Sequence, residues 1–249
     1  MPINISYRGQ TFQITGTSNI FQAVATQTLT ASIDLWPKVC DQTRGYYKIA
    51  PNSSCIIPRA SSCKRMAIIV ESPHKDEFDS NFNPLVPLNG VSGIRFASKI
   101  LPKLNFWFSS NCNYQWSSCS PFDLEIKIFN PIQYQASLYH FLNGKISYNN
   151  FGSFAYNSID SDLRDKVWRC LFHDCQLKDD FISRLSSYNP DFIINCCTGS
   201  SSYTRFNMPL RRYRSVLKLK SNVRSELLNC NIIQTTSQKY LEDTHPLAW

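Results

Sequence analysis

Apolar residues gather in four short runs, Met66–Val70, Glu125–Phe129, Phe192–Cys196 and Asn231–Thr235, and each leads into a cluster of polar residues. Such short runs suit strands buried on both faces, whose carboxyl ends carry the loops that do chemistry. Between the runs the period lengthens. Leu163, Val167, Cys170 and Leu171 follow helical spacing after the capping residue Ser161, and Phe181, Leu185 and Tyr188 repeat it before Asn189-Pro190. Gly90 to Gly93 opens another helical segment, with Ile94, Ala97 and Leu101 as its stripe and Pro102 as its stop. Val216, Leu219, Val223 and Leu227 mark the buried side of a last helix, with Arg211, Arg214 and Lys218 opposite. The alternation predicts an α/β fold, three layers (α/β/α) around a central, mostly parallel, four-stranded sheet.

Ahead of the first run, Ile3, Ile5 and Tyr7 alternate, Arg8-Gly9 can turn, and Phe12 and Ile14 alternate again, which predicts a hairpin. Asn19 to Leu35 reads as a helix and Pro51 to Ser62 as a surface loop. Residues 1–65 are thus expected to embellish a core of 66–249. All 249 residues read as a single domain, because no low-complexity linker or charge shift divides the chain.

Composition narrows the partners. The net charge is +8, from 26 Lys and Arg against 18 Asp and Glu, and it favours an anionic partner. From Arg205 to Arg224 there are seven basic residues (Arg205, Arg211, Arg212, Arg214, Lys218, Lys220, Arg224) and no acid, so this segment is the strongest phosphate-binding candidate. The ten cysteines lack metal-ligand spacing, and Cys196-Cys197 falls inside a core run; they read as reduced thiols, with no metal and no cofactor expected. No apolar stretch approaches the ~18 residues of a bilayer span, and Met1-Pro2-Ile3-Asn4 does not begin a secretion signal. The expectation is a cytoplasmic protein with no membrane partner.

The polar clusters carry a resemblance. Val70-Glu71-Ser72-Pro73-His74 resembles the first motif of the uracil-DNA glycosylase superfamily, G-E-A-P-G or G-Q-D-P-Y-H in different branches, and Pro87-Leu88-Asn89-Gly90-Val91-Ser92-Gly93 resembles the G-R-P-F-V-G-x-A-G loop. Ile126-Lys127-Ile128-Phe129-Asn130 resembles the family's strand ending in Asn, Pro190-Asp191-Phe192-Ile193-Ile194 its third strand, and His245-Pro246 the start of its H-P-S motif. The matches follow the family's order from Met66 to Trp249. The resemblance implies a DNA glycosylase that flips a base out of DNA and hydrolyses its N-glycosidic bond, leaving an abasic site.

That chemistry suits the residue types. Positive charge grows on the sugar and negative charge on the departing base, so a carboxylate belongs beside the sugar and a donor beside the base. Glu71 takes the position of the family's Glu, with Asp76 as the other candidate to activate water. His245 would donate to the base oxygen, and Asn130, with His74 and Gly90, would contact the extruded base. Leu247 would fill the space it leaves, while Ser200, Ser201, Arg205, Arg211, Arg214 and Lys218 would hold phosphates.

Ser72 stands where G-Q-D-P-Y-H has Asp, Val70 where it has Gly, and Leu247 where H-P-S has Ser. These departures point away from uracil towards a modified base, such as the hypermodified cytosines of bacteriophage DNA, and so towards a defence role. Plainer readings stand beside these: Asn130 as an Asx turn before Pro131, Glu71 as a turn cap, and a non-catalytic nucleic-acid-binding protein of the same fold. A third reading assigns His74, Asp76, Asp243 and His245 to a metal hydrolase.

Overall fold

The computed structural model describes residues 3–7, 10–17, 20–25, 38–49, 63–73, 75–79, 83–108, 122–133, 168–174, 177–197, 219–233, 240–243 and 246. Strands β1 (Ile3–Tyr7), β2 (Gln10–Thr17) and β3 (Ile20–Ala25) form an antiparallel sheet in that order. The hairpin is therefore present. The helix expected over Asn19 to Leu35 is not found at Ile20–Ala25, which pairs along β2 as a strand, and residues 26–35 lie outside the described residues.

The main sheet is mixed. Strand β4 (Gln42–Ile49) runs antiparallel to β6 (Phe122–Phe129), and β5 (Cys63–Ile69), β6, β7 (Phe192–Asn195) and β8 (Tyr240–Glu242) are mutually parallel, in the order β4-β6-β5-β7-β8. The sheet thus has five strands, not four, and the extra one comes from the segment before Met66. Its sequence, with Arg44-Gly45 and two adjacent tyrosines, hides the alternation that would have revealed it.

The first three predicted core strands coincide with β5, β6 and β7, but the fourth does not. Residues 230–233 wrap the end of a helix instead. Cys230 N–H donates to the Glu226 carbonyl, Asn231 N–H to Leu228, and both Ile232 and Ile233 N–H to Leu227. Asn231 sits at φ 56°, the left-handed turn that ends helices, so no strand can start there. Ile233 is apolar because it packs into the core beside Leu227. The parallel strand beside β7 is Tyr240–Glu242.

Helices α1 (Gly90–Phe106), α2 (Leu177–Tyr188) and α3 (Leu219–Asn229) supply the other walls of the core. Alternate residues of β5 divide between two apolar clusters. Ala67 and Ile69 join Phe181 and Leu185 of α2 and Val223 and Leu227 of α3, whereas Met66 and Ile68 join Phe96, Ile100 and Leu104 of α1. Of the predicted stripes of α2 and α3, Phe181, Leu185, Leu219, Val223 and Leu227 are buried and Tyr188 is partly so, while Val216 lies outside the described residues. Leu171, of the earlier predicted stripe, is buried in the π-helical turn Cys170–Asp174, while Leu163 and Val167 lie outside the described residues.

Helix α1 differs from expectation in two ways. Ile94 and Leu101 are 71% and 57% exposed, and the buried line is Gly93, Phe96, Ile100 and Leu104. Two apolar stripes share this helix, and the glycine decides between them: a Cβ on Gly93 would lie 1.8 Å from the Leu88 carbonyl oxygen, so only a bare backbone allows that approach. The helix also passes through Pro102. Ser98 and Pro102 are both exposed, so water can satisfy the carbonyl that proline frees, and Leu104, Trp107 and Phe108 bury the turn beyond. Among the described residues no helix is long and apolar enough to cross a membrane.

This face assignment has a direct test. Ile100→Ala should lower unfolding free energy by roughly 2–4 kcal/mol in chemical denaturation, and Ile94→Ala should change it by less than about 0.5 kcal/mol. Equal losses would place the helix face wrongly.

Candidate active site

The carboxyl edge of the sheet gathers Glu71, Asn130 and Asp243, which follow β5, β6 and β8. In the order β6-β5-β7-β8 the chain's first parallel strand lies inside, with its next two on either side. The connections leaving β5 and β7 therefore diverge, the place where open α/β sheets form a crevice. Glu71 follows β5 at that point.

Glu71 is 1% exposed, and the chain around it is pinned to both neighbours. Val70 N–H donates to the Phe129 carbonyl at 2.9 Å, the Cys197 thiol donates to the Val70 carbonyl at 2.7 Å, and Trp168 Nε1 donates to the Glu71 carbonyl at 3.0 Å. Burial pushes the Cys197 thiol up, and the negative charge of Glu71 adds to the shift, so this thiol stays protonated and can donate. Cys196 is raised likewise, by burial and then by Asp243.

Asn130 ends β6, opposite Val70. It is 1% exposed, and neither Oδ1 nor Nδ2 has a hydrogen-bond partner among the described residues. An Asx turn into Pro131 would engage Oδ1, so that reading does not hold. An amide buried in this way costs about 1–3 kcal/mol for each group left unsatisfied, which a ligand presenting a donor and an acceptor would offset.

The backbone of Asn130 is by contrast fully engaged. Its N–H donates to Asp41 Oδ1 at 3.3 Å, and its carbonyl accepts from Arg184 Nη2 at 3.0 Å. Arg184 Nη1 pairs with Asp41 Oδ2, and Arg184 Nε bonds Asp180 Oδ2 at 2.7 Å. Burial pushes the Asp41 carboxyl above the usual carboxylate range, with Arg184, the Asn130 N–H and Lys127 acting against it.

The 3-10 turn just after the first motif segment meets the second motif segment. Asp76 lies in the 3-10 turn Lys75–Glu77, whose carbonyl at Asp76 accepts from Asn89 Nδ2 at 2.7 Å, while Leu85 N–H donates to Glu77 at 2.8 Å. Gly90 holds φ 70°, and a Cβ there would lie 2.6 Å from Asp76 Oδ2. Gly90 is therefore the surface on which Asp76 rests.

Beyond β8, Asp243 bridges three elements. Its carboxylate accepts from Lys103 Nζ at 2.8 and 2.9 Å and from Trp107 Nε1 at 2.7 Å, and its carbonyl accepts from Lys220 Nζ at 2.5 Å. A carboxylate so engaged does not suit the metal-hydrolase reading, whose His74 and His245 lie outside the described residues. Asn195 steadies the same edge, donating to the Lys220 carbonyl and the Tyr240 hydroxyl and accepting from Cys197 N–H.

The structure thus brings Glu71 and Asn130 to adjacent strand ends and Asp76 against Gly90. His74, Ser200, Ser201, Arg205, Arg211, Arg214, Lys218, His245 and Leu247 lie outside the described residues. Two members of the basic segment are described: Lys220 bonds the Asp243 carbonyl, and Arg224 lies 3.9 Å from Glu242. Sequence reasoning did not single out Asp41, Trp168, Arg184 or Asn195. Only the Asp180–Arg184 pair, at i,i+4 spacing, leaves a local signal. The chain matches no protein-family model, no curated protein and no solved structure.

Removing the arginine should expose the cost of burying Asp41. Arg184→Met should destabilise the protein by roughly 3–5 kcal/mol at pH 7.5, because the charge at Asp41 loses its partner. Protonation removes that charge, and a folded-state pKa raised above the unfolded value means stability lost as pH rises. The deficit relative to the unsubstituted protein should therefore shrink as pH falls towards 5, as urea titrations across this range will measure. A deficit that grows on acidification would contradict this assignment.

Proposed function

We propose that this protein is a DNA glycosylase that extrudes a modified or non-standard base and hydrolyses its N-glycosidic bond to leave an abasic site. The observation that carries the reading is the Asn130 side-chain amide, buried and without partners among the described residues, at the strand end beside Glu71. An amide offers one donor and one acceptor in a plane, the pattern needed to pair two atoms of a nucleobase edge. The resemblance of the motif segments to the uracil-DNA glycosylase superfamily supports the same reading. So does the contact between the turn after the first segment and the second segment, through Asp76, Asn89 and Gly90.

In this reading a water attacks the anomeric carbon of the sugar as the bond to the base breaks, and the bonding electrons leave with the base. Glu71, or Asp76, orients the water and takes its proton, and the carboxylate offsets the positive charge on the sugar. His245 donates to the departing base, His74 and Gly90 line it, and Leu247 occupies the gap in the stack. Ser200, Ser201, Arg205, Arg211, Arg214 and Lys218 hold phosphates. Helices contributing to both apolar clusters support a three-layer α/β/α arrangement of the glycosylase kind, and the reading has the protein act in the cytoplasm. The departures at Val70 and Ser72 favour a hypermodified cytosine of bacteriophage DNA over uracil, hence a role in defence.

The test is abasic-site formation on duplexes carrying uracil, hydroxymethylcytosine or glucosylated hydroxymethylcytosine, read by alkaline strand cleavage. Release is expected from a modified cytosine, with Glu71→Gln slowing it by roughly 10²-fold or more. Strong uracil release would remove the unusual-base element. Salt-sensitive DNA binding with no release from any duplex would instead identify a non-catalytic binding protein.

A further inference from the structure

Three segments far apart in the chain close a ring around the backbone of Asn130. Asp41 precedes β4, Asn130 follows β6, and Arg184 lies on α2. Asn130 N–H donates to Asp41, Asp41 pairs with Arg184, and Arg184 donates to the Asn130 carbonyl. Asp180 holds the guanidinium by its remaining edge. The side chains of Asp41 and Arg184 are 6% and 20% exposed, so this is a largely desolvated pair.

Stability alone gives such a pair little reason to be there, since apolar replacements of similar volume often serve as well. The end of β6 is also secured without it. Strand β6 pairs with β4 and β5, and Val39 N–H donates to the Gln133 carbonyl at 2.9 Å just beyond. What the ring adds is direction. It fixes the peptide planes on both sides of the Asn130 Cα, and so the line along which its side chain leaves, while the amide itself has no partner among the described residues. Glu71 is held by a separate set of bonds, from Trp168 and through Val70.

We propose that Asp41 and Arg184 are positioning residues that aim the Asn130 amide at the edge of the extruded base and thereby determine which base is accepted. The proposal rests on the glycosylase reading and deepens it. A two-bond amide contact is sensitive to angle, so a ring that loosens degrades discrimination between bases before it affects the bond-breaking step. Arg184→Lys keeps the charge opposite Asp41, but a single ammonium cannot meet three acceptors as the planar fork does. Asp41→Asn keeps an acceptor for the Asn130 N–H and discards the ion pair.

The experiment measures kcat and KM for base release on the duplex panel above, for the full chain and for Arg184→Lys, Asp41→Asn, Asn130→Ala and the Asn130→Ala/Arg184→Lys double variant, with thermal midpoints alongside. In Arg184→Lys and Asp41→Asn, selectivity between the best and second-best base should fall about tenfold, the lower end of what a bidentate base contact contributes. The fall should appear in KM, with kcat on the best base within about twofold. The double variant should be no less selective than Asn130→Ala alone, because both changes remove one function.

Additive losses in the double variant, or lower kcat with selectivity intact, would overturn the positioning role while leaving the glycosylase reading in place. Absence of base release by the unsubstituted protein on every duplex would overturn that reading and this inference with it. If Arg184→Lys is unfolded at the assay temperature, Asp41→Leu/Arg184→Met removes both charges together and is held to the same selectivity criterion.

Discussion

The carboxyl half of strand β5 is enclosed on every side, and that enclosure governs the rest of the molecule. Met66 to Val70 are at most 1% exposed, with β6 and β7 hydrogen-bonded along the two edges. Every polar group that leaves the strand must therefore find a partner within the protein. The partners of Val70 and Glu71 include Phe129, Cys197 and Trp168, drawn from β6, the turn after β7 and the helical residues just before Cys170–Asp174. One buried strand end thus recruits three distant segments, and it places a carboxylate among them. The same demand makes Asn130 conspicuous. Among the described residues its backbone obeys the rule and its side chain does not.

Much of this was legible in the amino-acid order. Strands β5, β6 and β7 are short apolar runs because they are covered on both faces, and Phe181, Leu185, Val223 and Leu227 keep helical spacing because one face of each helix is buried. Glu71 and Asn130 stand out in the sequence because both follow such runs directly. What escaped was set by tertiary contact. Ile232 and Ile233 look like a strand, yet their N–H groups belong to the end of α3. The two apolar stripes of α1 are similar in sequence, and the approach of Gly93 to Leu88 chose between them. Strand β4 is an edge strand with Tyr46 exposed, so its pattern is weak.

The hidden residues share a cause as well. Asp41 and Arg184 are 143 positions apart, and nothing near either in sequence announces the other. Charged residues are ordinarily read as surface, and here the reading fails because they face each other across a peptide that needs both a donor and an acceptor. The glycines of the Pro87–Gly93 segment are the opposite case. Gly90 and Gly93 were noticed as parts of a motif, and the structure supplies their reason: each lets another residue approach where a methyl group would not fit.

Asp243 has a consequence for how the molecule comes into being. It joins β8 to Lys103 and Trp107, about 140 residues earlier, and to Lys220 on α3. During synthesis the ammonium and indole of α1 emerge long before the carboxylate that will receive them. The outer parallel strand of the sheet is also made after every other. A chain that folds as it emerges therefore holds a partly built sheet, open at the β7 edge, until residues 240–243 leave the ribosome. The interval in which that edge is bare is a property of the topology, and it is when the growing chain is most exposed to pairing with a neighbour.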